Sequence, residues 1–302
     1  MARRQRGTPV HGWLVLDKPE GPSSAQAVAR ARRALDARKA GHAGTLDPAA
    51  TGLLAIAFGE ATKTVAHVTE AEKRYRFTVR WGAETATDDA EGAVTARSAS
   101  RPSEATIRAA LPGFTGDILQ VPPQVSAVKV EGRRAYALAR SGEAPELAAR
   151  PLHVARLELV ALPDAGQAVF EMDCGKGGYV RAIARDLGRA LGCLGHVAGL
   201  RRLRAGPFTL EGALGWAALE PENAAALRAA LLPVEAGLGA MAELACSAEA
   251  ASRLRHGNPA EVTPCGPLAF GAEAWVSHAG QPVAIGHYRG GQLHPSRVFV
   301  LD

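Results

Sequence analysis

Cysteine is scarce in this sequence, and its spacing excludes several kinds of site. The four cysteines form no C-x-x-C pair, so neither a zinc ribbon nor a thioredoxin-like redox centre is indicated. The nine histidines are scattered and form no H-E-x-x-H or H-x-E arrangement. We therefore expect no bound metal and reduced, mostly buried thiols, as in a cytoplasmic protein, at Cys174, Cys193, Cys246 and Cys265.

Nucleotide-binding loops and long apolar runs are also missing. There is no G-x-x-x-x-G-K-S/T loop and no strand-linked G-x-G-x-x-G, so no nucleotide cofactor is expected. No apolar run reaches the ~18 residues that a membrane-spanning helix needs, and we expect no membrane association. Arg3, Arg4 and Arg6 are not followed by an apolar region, so residues 1–9 are interpreted as a flexible basic arm rather than a signal peptide.

Basic residues are in excess. The sequence has 35 lysines and arginines against 30 acidic residues, a net charge of +5 and a pI of about 9.2. Most of the basic residues are arginines, whose planar fork matches the geometry of phosphate groups. This balance fits a polyanionic partner and an ordinary basic protein about equally well.

The length of 302 residues exceeds that of a usual single domain. Near residue 245 the composition changes from alanine-rich helical segments to short strands interrupted by glycine and proline. We predict one large domain over 10–244 and a small β-rich module over 245–302.

Alternation of side chains predicts one strand with particular clarity. From Lys73 to Trp81, apolar residues alternate with basic ones, so Tyr75 and Phe77 are expected on the face opposite to Arg74. Similar patterns predict strands at 10–16, 53–58, 154–162 and 168–174.

Capping residues and apolar spacing predict the helices. Ser23 with Gln26 forms a capping box, and the helix it begins is expected to run to about Ala37 and to end at Gly41. Further helices are predicted at 60–70, 103–111, 133–140, 223–232 and 247–255 and from Tyr179 onwards. Together these elements indicate an α+β fold.

Three arginines follow the start of the helix at Tyr179. Arg181 lies in its first turn, where the helix dipole disfavours a positive charge, so a carboxylate partner is expected. Arg185 and Arg189 are interpreted as a solvated basic face. The cluster at 201–204 is either a phosphate-contact patch or an edge strand.

The turn from Gly41 to Pro48 holds a single carboxylate, Asp47, with no second carboxylate, cysteine or metal-ligand cluster close in sequence. Asp47 followed by Pro48 fits a helix N-cap with proline at the first helical position. The alternative is a functional carboxylate that performs covalent chemistry on a nucleic-acid base. The dipeptide alone favours the cap.

Several motifs, taken together, resemble those of the tRNA pseudouridine synthase B family. Their order and spacing agree over roughly residues 10–210. The segments that carry the resemblance are Val15–Pro19, Gly41–Leu54 with Gly59–Lys63, Lys73–Arg76, Gln120–Lys129, Cys174–Gly188 and Gly195–Arg202. Residues 254–259 and 285–298 more weakly resemble a PUA-type RNA-binding module.

The resemblance implies a mixed, largely antiparallel sheet with flanking helices, and the isomerisation of uridine 55 in the T loop of tRNA after base flipping. It implies that Asp47 is the nucleophile, whether at C1′ of the ribose or C6 of the uracil, although a glycal route stays open. No cofactor, metal or protein partner is implied, and we expect a monomer. Implied substrate-binding residues are His42, Tyr75, Tyr179, Arg181 and Leu200, with Arg181 as the counter-charge of Asp47.

Two other functions remain open at this point. A non-catalytic protein that binds or folds tRNA could use the same surface, with Asp47 in a structural role. A metal-dependent nuclease would need clustered carboxylates, which the sequence does not show near Asp47. The arginine-rich segments 30–39, 133–140 and 201–204 are expected to hold the tRNA backbone, and Lys63 is expected to order the loop.

Overall fold

The structure is a computed structural model that describes residues 7–126, 129–130, 133–134 and 147–301. The chain divides into two compact units. The first contains Met1–Pro48, Leu53–Ala71 and Ala205–Asp302, and the second contains Ala49–Gly52 and Glu72–Arg204. No helix in the described part of the chain has the length and apolar content to cross a membrane.

Twenty strands and six α-helices are assigned among the described residues. The strands up to residue 134 are β1 Gly12–Lys18, β2 Ala40–Ala43, β3 Thr51–Phe58, β4 Lys73–Trp81, β5 Ala83–Thr85, β6 Val94–Arg97, β7 Gly116–Gln120, β8 Lys129–Val130 and β9 Arg133–Arg134. The next are β10 Arg150–Asp164, β11 Gln167–Cys174, β12 Gly195–Ala205, β13 Phe208–Thr209 and β14 Leu214–Gly215. The last are β15 Ala242–Ala245, β16 Ala260–Glu261, β17 Thr263–Pro264, β18 Glu273–His278, β19 Gln281–Arg289 and β20 Gln292–Val298. The helices are α1 Ser24–Ala34, α2 Val65–Glu70, α3 Glu104–Ala110, α4 Val180–Ala190, α5 Ala224–Ala229 and α6 Ala248–Arg255.

In the second unit, the strand order is β12, β4, β11, β10 and β7, and the pairs β4–β11, β11–β10 and β10–β7 are antiparallel. The apolar stripe of α4 packs in the same core cluster as residues of these strands, and the cluster includes Phe77, Phe170 and Ile183. The rings of Phe77 and Phe170 stack with centroids 5.5 Å apart. The predicted α+β class is confirmed.

In the first unit, β14, β1 and β3 lie side by side, with β14 parallel to β1 and β2 antiparallel to β3. Residues 242–298 form a second sheet of six strands in the order β16, β20, β19, β18, β15 and β17. Its residues Trp275, Ile285 and Phe299 share a core cluster with Trp13 and Phe208. The boundary predicted at 245 falls at the last residue of β15.

The capping box at Ser23 and Gln26 is confirmed, but the helix that it begins is shorter than predicted. It ends at Ala34, and Asp36 then takes the left-handed conformation with φ of 46°. Gly41 does not end the helix, because it lies in β2 and pairs with Ala57. A strand partner 16 residues away therefore decided this segment, and no local rule could have predicted it.

Two other helix predictions also need correction. Residues 133–134 form the short strand β9 with 129–130 instead of a helix, and 135–140 lie outside the described residues. The helix predicted over 223–232 is limited to α5, Ala224–Ala229. The strand over 73–81 and the strand that contains 53–58 are confirmed.

Candidate active site

The six predicted site residues belong to two different units. His42 and Asp47 lie in the first unit, whereas Tyr75, Tyr179, Arg181 and Leu200 lie in the second. Each group is built by different elements.

Asp47 lies in the loop between β2 and β3, and its side chain is exposed. Residues 47–50 form a turn that leads into β3, so no helix begins after Asp47 and the N-cap interpretation is wrong. Gly44 precedes it with φ of 81°, in the left-handed region that favours glycine. The proline after Asp47 therefore belongs to a turn and not to a helix.

A serine fixes the main chain on the N-terminal side of Asp47. The Ser24 hydroxyl accepts a hydrogen bond from Leu46 N–H at 2.8 Å and donates one to the Leu46 carbonyl at 2.9 Å. Ser24 is the first residue of α1 and is buried, as is the Leu46 side chain. One side chain thus satisfies both backbone polar groups of Leu46, the residue before Asp47.

A buried lysine fixes the main chain on the C-terminal side. The ammonium of Lys18, whose side chain has 0% exposure, donates to the carbonyls of Pro19, Pro22 and Pro48 at 2.8, 2.9 and 3.2 Å. The Gly21 N–H also donates to the Pro48 carbonyl, at 2.9 Å. The backbone on both sides of Asp47 is therefore held by buried side chains, while Asp47 itself is an exposed residue.

His42 extends from β2, opposite Ile56 of β3, and is half-buried. Its Nε2 lies 3.3 Å from the Thr45 hydroxyl, so the imidazole spans the start of the loop that carries Asp47.

Tyr75 lies near the start of β4, opposite Met172 of β11, and is half-buried against the core of the second unit. Its hydroxyl takes part in a hydrogen bond with Arg202. Burial lowers the pKa of the Arg202 guanidinium, and the hydrogen bond with Tyr75 opposes that change.

Arg202 is 1% exposed, so neither interpretation of the cluster at 201–204 describes it. It cannot contact phosphates in this position, and β12 is not an edge strand because it lies beside β4 and pairs with residues 51–52 of β3. Its neighbour Arg204 is bound to Glu72. Arg202 and Arg204 therefore make their contacts inside the second unit.

Tyr179 and Leu200 are also positioned through their main chains. The buried side chain of Gln120 accepts from Tyr179 N–H at 2.9 Å and donates to the Tyr179 carbonyl at 3.1 Å. The Leu200 carbonyl accepts from the Thr51 hydroxyl at 3.3 Å. Neither Gln120 nor Thr51 was predicted to have this role, although both belong to motifs of the resemblance.

Arg181 is buried, and it is held through its guanidinium. It donates to the carbonyls of Thr87 and Val125, both at 2.9 Å, and lies 3.4 Å from the carboxylate of Asp89. The prediction that a cation in the first helical turn requires a carboxylate partner is confirmed, with Asp89 as such a partner. The pairing of Arg181 with Asp47 stays a prediction.

Arg185 is not part of a solvated face. Its side chain is 9% exposed and pairs with Asp88 at 2.9 Å and with Asp186 at 2.8 Å. Arg189 does lie in an exposed position, with its side chain 56% exposed, and it pairs with Glu84 at 2.6 Å. Asp88 and Glu84 lie 97 and 105 residues away in sequence from these arginines, so helical spacing could not identify them.

Thiol and metal chemistry receive no support from the described residues. No three histidine, cysteine, aspartate or glutamate side chains are grouped there so as to hold a metal ion. Cys174 is buried, and burial raises the pKa of its thiol to about 12, so it is not a thiolate nucleophile at neutral pH. Cys193 is also buried, whereas Cys246 is half-buried and Cys265 is exposed.

Comparison with known proteins gives consistent matches. Residues 32–180 match the model of the TruB family pseudouridylate synthase N-terminal domain, and residues 181–239 match that of the tRNA pseudouridylate synthase B C-terminal domain. The tRNA pseudouridine synthase B of Dinoroseobacter shibae is 58% identical over 99% of this chain and 98% of its own length. That of Paracoccus denitrificans is 56% identical over 99% of each chain.

A solved structure supports the fold. A chain in the structure of an H/ACA RNP bound to a substrate RNA containing 2′-deoxyuridine superposes with a TM-score of 0.75 at 22% identity, over 100% of this chain and 92% of that one. The mixed sheet with its flanking helices is therefore the pseudouridine synthase fold. Together with the family models and the full-length relatives, this shows that the chain belongs to the tRNA pseudouridine synthase B family of isomerases.

Proposed function

We propose that this enzyme converts uridine 55 in the T loop of tRNA into pseudouridine, with Asp47 as the nucleophile. The C1′–N1 glycosidic bond breaks, the uracil turns over and a C1′–C5 bond forms. The proton lost from C5 balances the one gained at N1, so the reaction needs no oxidant, reductant or second substrate. The proposed enzyme acts as a cytoplasmic monomer on the T arm, without a protein partner.

The observation that carries this proposal is the way in which Asp47 is presented. Asp47 is an exposed residue, while Ser24 and Lys18 fix the main chain on either side. A nucleophile needs both an accessible reacting atom and a restricted position, because misplacement of the reacting atoms slows covalent catalysis. A carboxylate that only stabilised a turn would not need this support from two distant residues.

Asp47 attacks C1′ of the ribose or C6 of the uracil in the two covalent routes, and in a glycal route a proton is first removed at C2′. We assign to Arg181 the role of positive partner for the Asp47 carboxylate during the reaction. The carbonyls of Thr87 and Val125 hold its guanidinium, so the charge is in place before the substrate arrives.

The remaining predicted residues are assigned to the substrate. Extraction of the base costs a few kcal/mol, and stacking on Tyr75 returns about 1–3 kcal/mol. Tyr75 is also a candidate to pass on the proton released from C5. Tyr179 and Leu200 are proposed to contact the uracil, and His42 to fill the gap that the flipped base leaves.

Contacts to the tRNA backbone are assigned to the exposed arginines of the segment 30–39. Arg32, Arg33 and Arg38 are exposed, whereas Arg30 lies over the ring of Trp216 and pairs with Glu220. Contacts of this kind make binding weaken as the salt concentration rises. Arg202 and Arg204 are excluded from the proposed contacts at 201–204, since Arg202 is buried and Arg204 is bound to Glu72.

The test is incubation of the enzyme with an unmodified tRNA transcript, followed by mapping of pseudouridine. We expect modification at position 55 only, unchanged by a metal chelator. Asp47→Asn should abolish turnover while tRNA affinity stays within about tenfold, or ~1.4 kcal/mol. Asp117→Asn, which changes a carboxylate whose side chain is 91% exposed in the second unit, is the matched control and should retain full activity.

Full turnover by Asp47→Asn would eliminate the nucleophile assignment. Pseudouridine at another position would eliminate the proposed specificity. A protein that only helps tRNA to fold would modify nothing and would keep its effect in the Asp47→Asn variant.

A further inference from the structure

Two arginines that lie one turn apart on α4 bind the same two segments of the chain. Arg181 donates to the carbonyl of Thr87 and to that of Val125, both at 2.9 Å. Arg185 donates to the carboxylate of Asp88 at 2.9 Å and to the carbonyl of Val121 at 2.8 Å. Both side chains therefore bridge the acidic turn at 85–89 and the loop at 121–125.

Arg185 is held by charge-assisted hydrogen bonds that leave little room for movement. Its side chain is 9% exposed, and Asp186 accepts from it at 2.8 and 3.2 Å in addition to Asp88 and Val121. A buried guanidinium needs such partners, because removing one of them leaves an uncompensated charge. Burial raises the pKa of the Asp88 carboxyl, and Arg185 followed by Arg181 opposes that rise.

The acidic turn at 85–89 also has hydrogen bonds that do not involve the two arginines. Asp88 has a φ of 60°, and its N–H donates to the Thr85 carbonyl at 3.2 Å. The Thr85 hydroxyl donates to the Asp89 carbonyl at 2.6 Å, and Val197 N–H donates to the Asp88 carbonyl at 3.0 Å. These bonds shape the turn and connect it to β12, whereas the Asp88 side chain connects it to α4.

We propose that Arg185 and Asp88 are positioning residues for pseudouridine formation. By binding Asp88 and Val121 together, Arg185 fixes the carbonyls of Thr87 and Val125, and these carbonyls fix the guanidinium of Arg181. The effect reaches the reaction only through Arg181, so this inference rests on the proposed role of Arg181. Arg185 itself does not touch the substrate.

Arg189 provides a matched control on the same helix. It is one further turn along α4 and pairs with Glu84, a residue of β5 just before the acidic turn. Its side chain is 56% exposed, and its two hydrogen bonds to Glu84 go to a carboxylate and not to a loop carbonyl. Loss of this pair removes an arginine from α4 without releasing Thr87 or Val125.

The experiment measures single-turnover rates of Arg185→Gln, Arg185→Lys, Asp88→Asn and Arg189→Gln with saturating enzyme and a tRNA transcript. We expect Arg185→Gln to lower the rate by about 10- to 100-fold, since misplacement of a catalytic group by about 1 Å has effects of this size. The dissociation constant for tRNA should change by less than about threefold, or ~0.7 kcal/mol. Arg189→Gln should keep the wild-type rate.

Arg185→Lys and Asp88→Asn keep part of the local packing and guard against a loss of folding. Thermal unfolding, recorded for each variant, selects an assay temperature at which it is folded. Under those conditions, a role in stability alone predicts wild-type rates, and that result would overturn the proposal. A reduced rate with unchanged tRNA affinity in either variant supports it.

A double-mutant cycle tests whether the effect passes through Arg181. In an Arg181→Lys background, the further change Arg185→Gln should lower the rate by less than about threefold, because the group it positions is already gone. Additive losses would overturn the proposal. If Arg181→Lys alone keeps the wild-type rate, the assigned role of Arg181 fails, and this inference with it. If Arg181→Lys is slow but every Arg185 and Asp88 variant is fast, only this inference fails.

Discussion

The second unit contains two groups of arginines that use different acceptors. The arginines of α4, Arg181 and Arg185, are about 10% exposed and donate to loop carbonyls as well as to carboxylates. The arginines of the strands, Arg74, Arg76 and Arg156, are 32–56% exposed and donate to the carboxylates of neighbouring strands at 2.6–3.1 Å.

This difference separates two structural roles. The carbonyl acceptors belong to loops, which lack the ladder of backbone hydrogen bonds that holds strands together. An arginine that binds two such carbonyls therefore determines where the loops lie. Strands β4, β10 and β11 are already held together by their backbone hydrogen bonds. The ion pairs across them join half-exposed arginines to the largely buried carboxylates of Glu171 and Asp173, so they add to an arrangement that the backbone already fixes. In the first unit, Lys18 has the role that Arg181 and Arg185 have in the second, because it binds three carbonyls in and near the loop of Asp47.

Arg181→Lys should produce the largest effect that distinguishes the two groups. A lysine lacks the planar fork that reaches Thr87 and Val125 together, so we expect turnover to fall by at least about 100-fold, or ~2.7 kcal/mol. Single-turnover formation of pseudouridine measures this. Arg76→Lys on β4 keeps a cation at an exposed position and should lose less than about twofold in turnover. Equal losses in both variants would remove the distinction.

Lys18→Met should have the next largest effect, on stability as well as on turnover. It leaves three carbonyls without their charged donor in a buried position, which costs about 2–5 kcal/mol in the free energy of unfolding. Urea denaturation measures this cost, and turnover should also fall because the Pro48 carbonyl is released. Lys39→Met, which replaces an exposed lysine in the same unit, is the control and should change stability by less than about 0.5 kcal/mol. Equal stability of the two variants would show that the carbonyl contacts of Lys18 contribute little.

Glu171→Gln should have the smallest effect, and that effect should depend on pH. A hydrogen bond from Arg76 lowers the pKa of Glu171 below its usual value of 4.5, burial opposes this, and Arg156 adds to the lowering. A carboxylate whose pKa is lowered by folding stabilises the protein above its unfolded pKa, and that contribution disappears as the pH falls through the folded pKa.

The unfolding free energies of Glu171→Gln and the wild-type protein should therefore differ most near neutral pH and converge as the pH falls below about 4.5. Chemical denaturation at a series of pH values measures the difference. Glu104→Gln removes an exposed pair on α3 and serves as the control. A constant difference across the pH series would show that ionisation of Glu171 is not linked to folding.

Local rules were sufficient where the relevant contacts are close in sequence. The alternation from Lys73 to Trp81 predicted β4 with its bounds, and Ser23 with Gln26 predicted the start of α1. The same rules failed for Gly41, because pairing with β3 overrides the turn preference of glycine. They also failed for Arg185, whose partner Asp88 lies 97 residues away.

By itself, the sequence determined the α+β class, the principal strands and helices, the family resemblance and the choice of Asp47 as the residue to test. Only the tertiary structure decided which cations are buried. The spacing of arginines 181, 185, 189 and 202 along the sequence does not show which of them are buried. The tertiary structure placed Arg202 in the interior and Lys18 beneath the loop of Asp47. The physical reason is that a buried charge is stable only beside specific acceptors, and chain folding, not spacing along the chain, brings those acceptors to it.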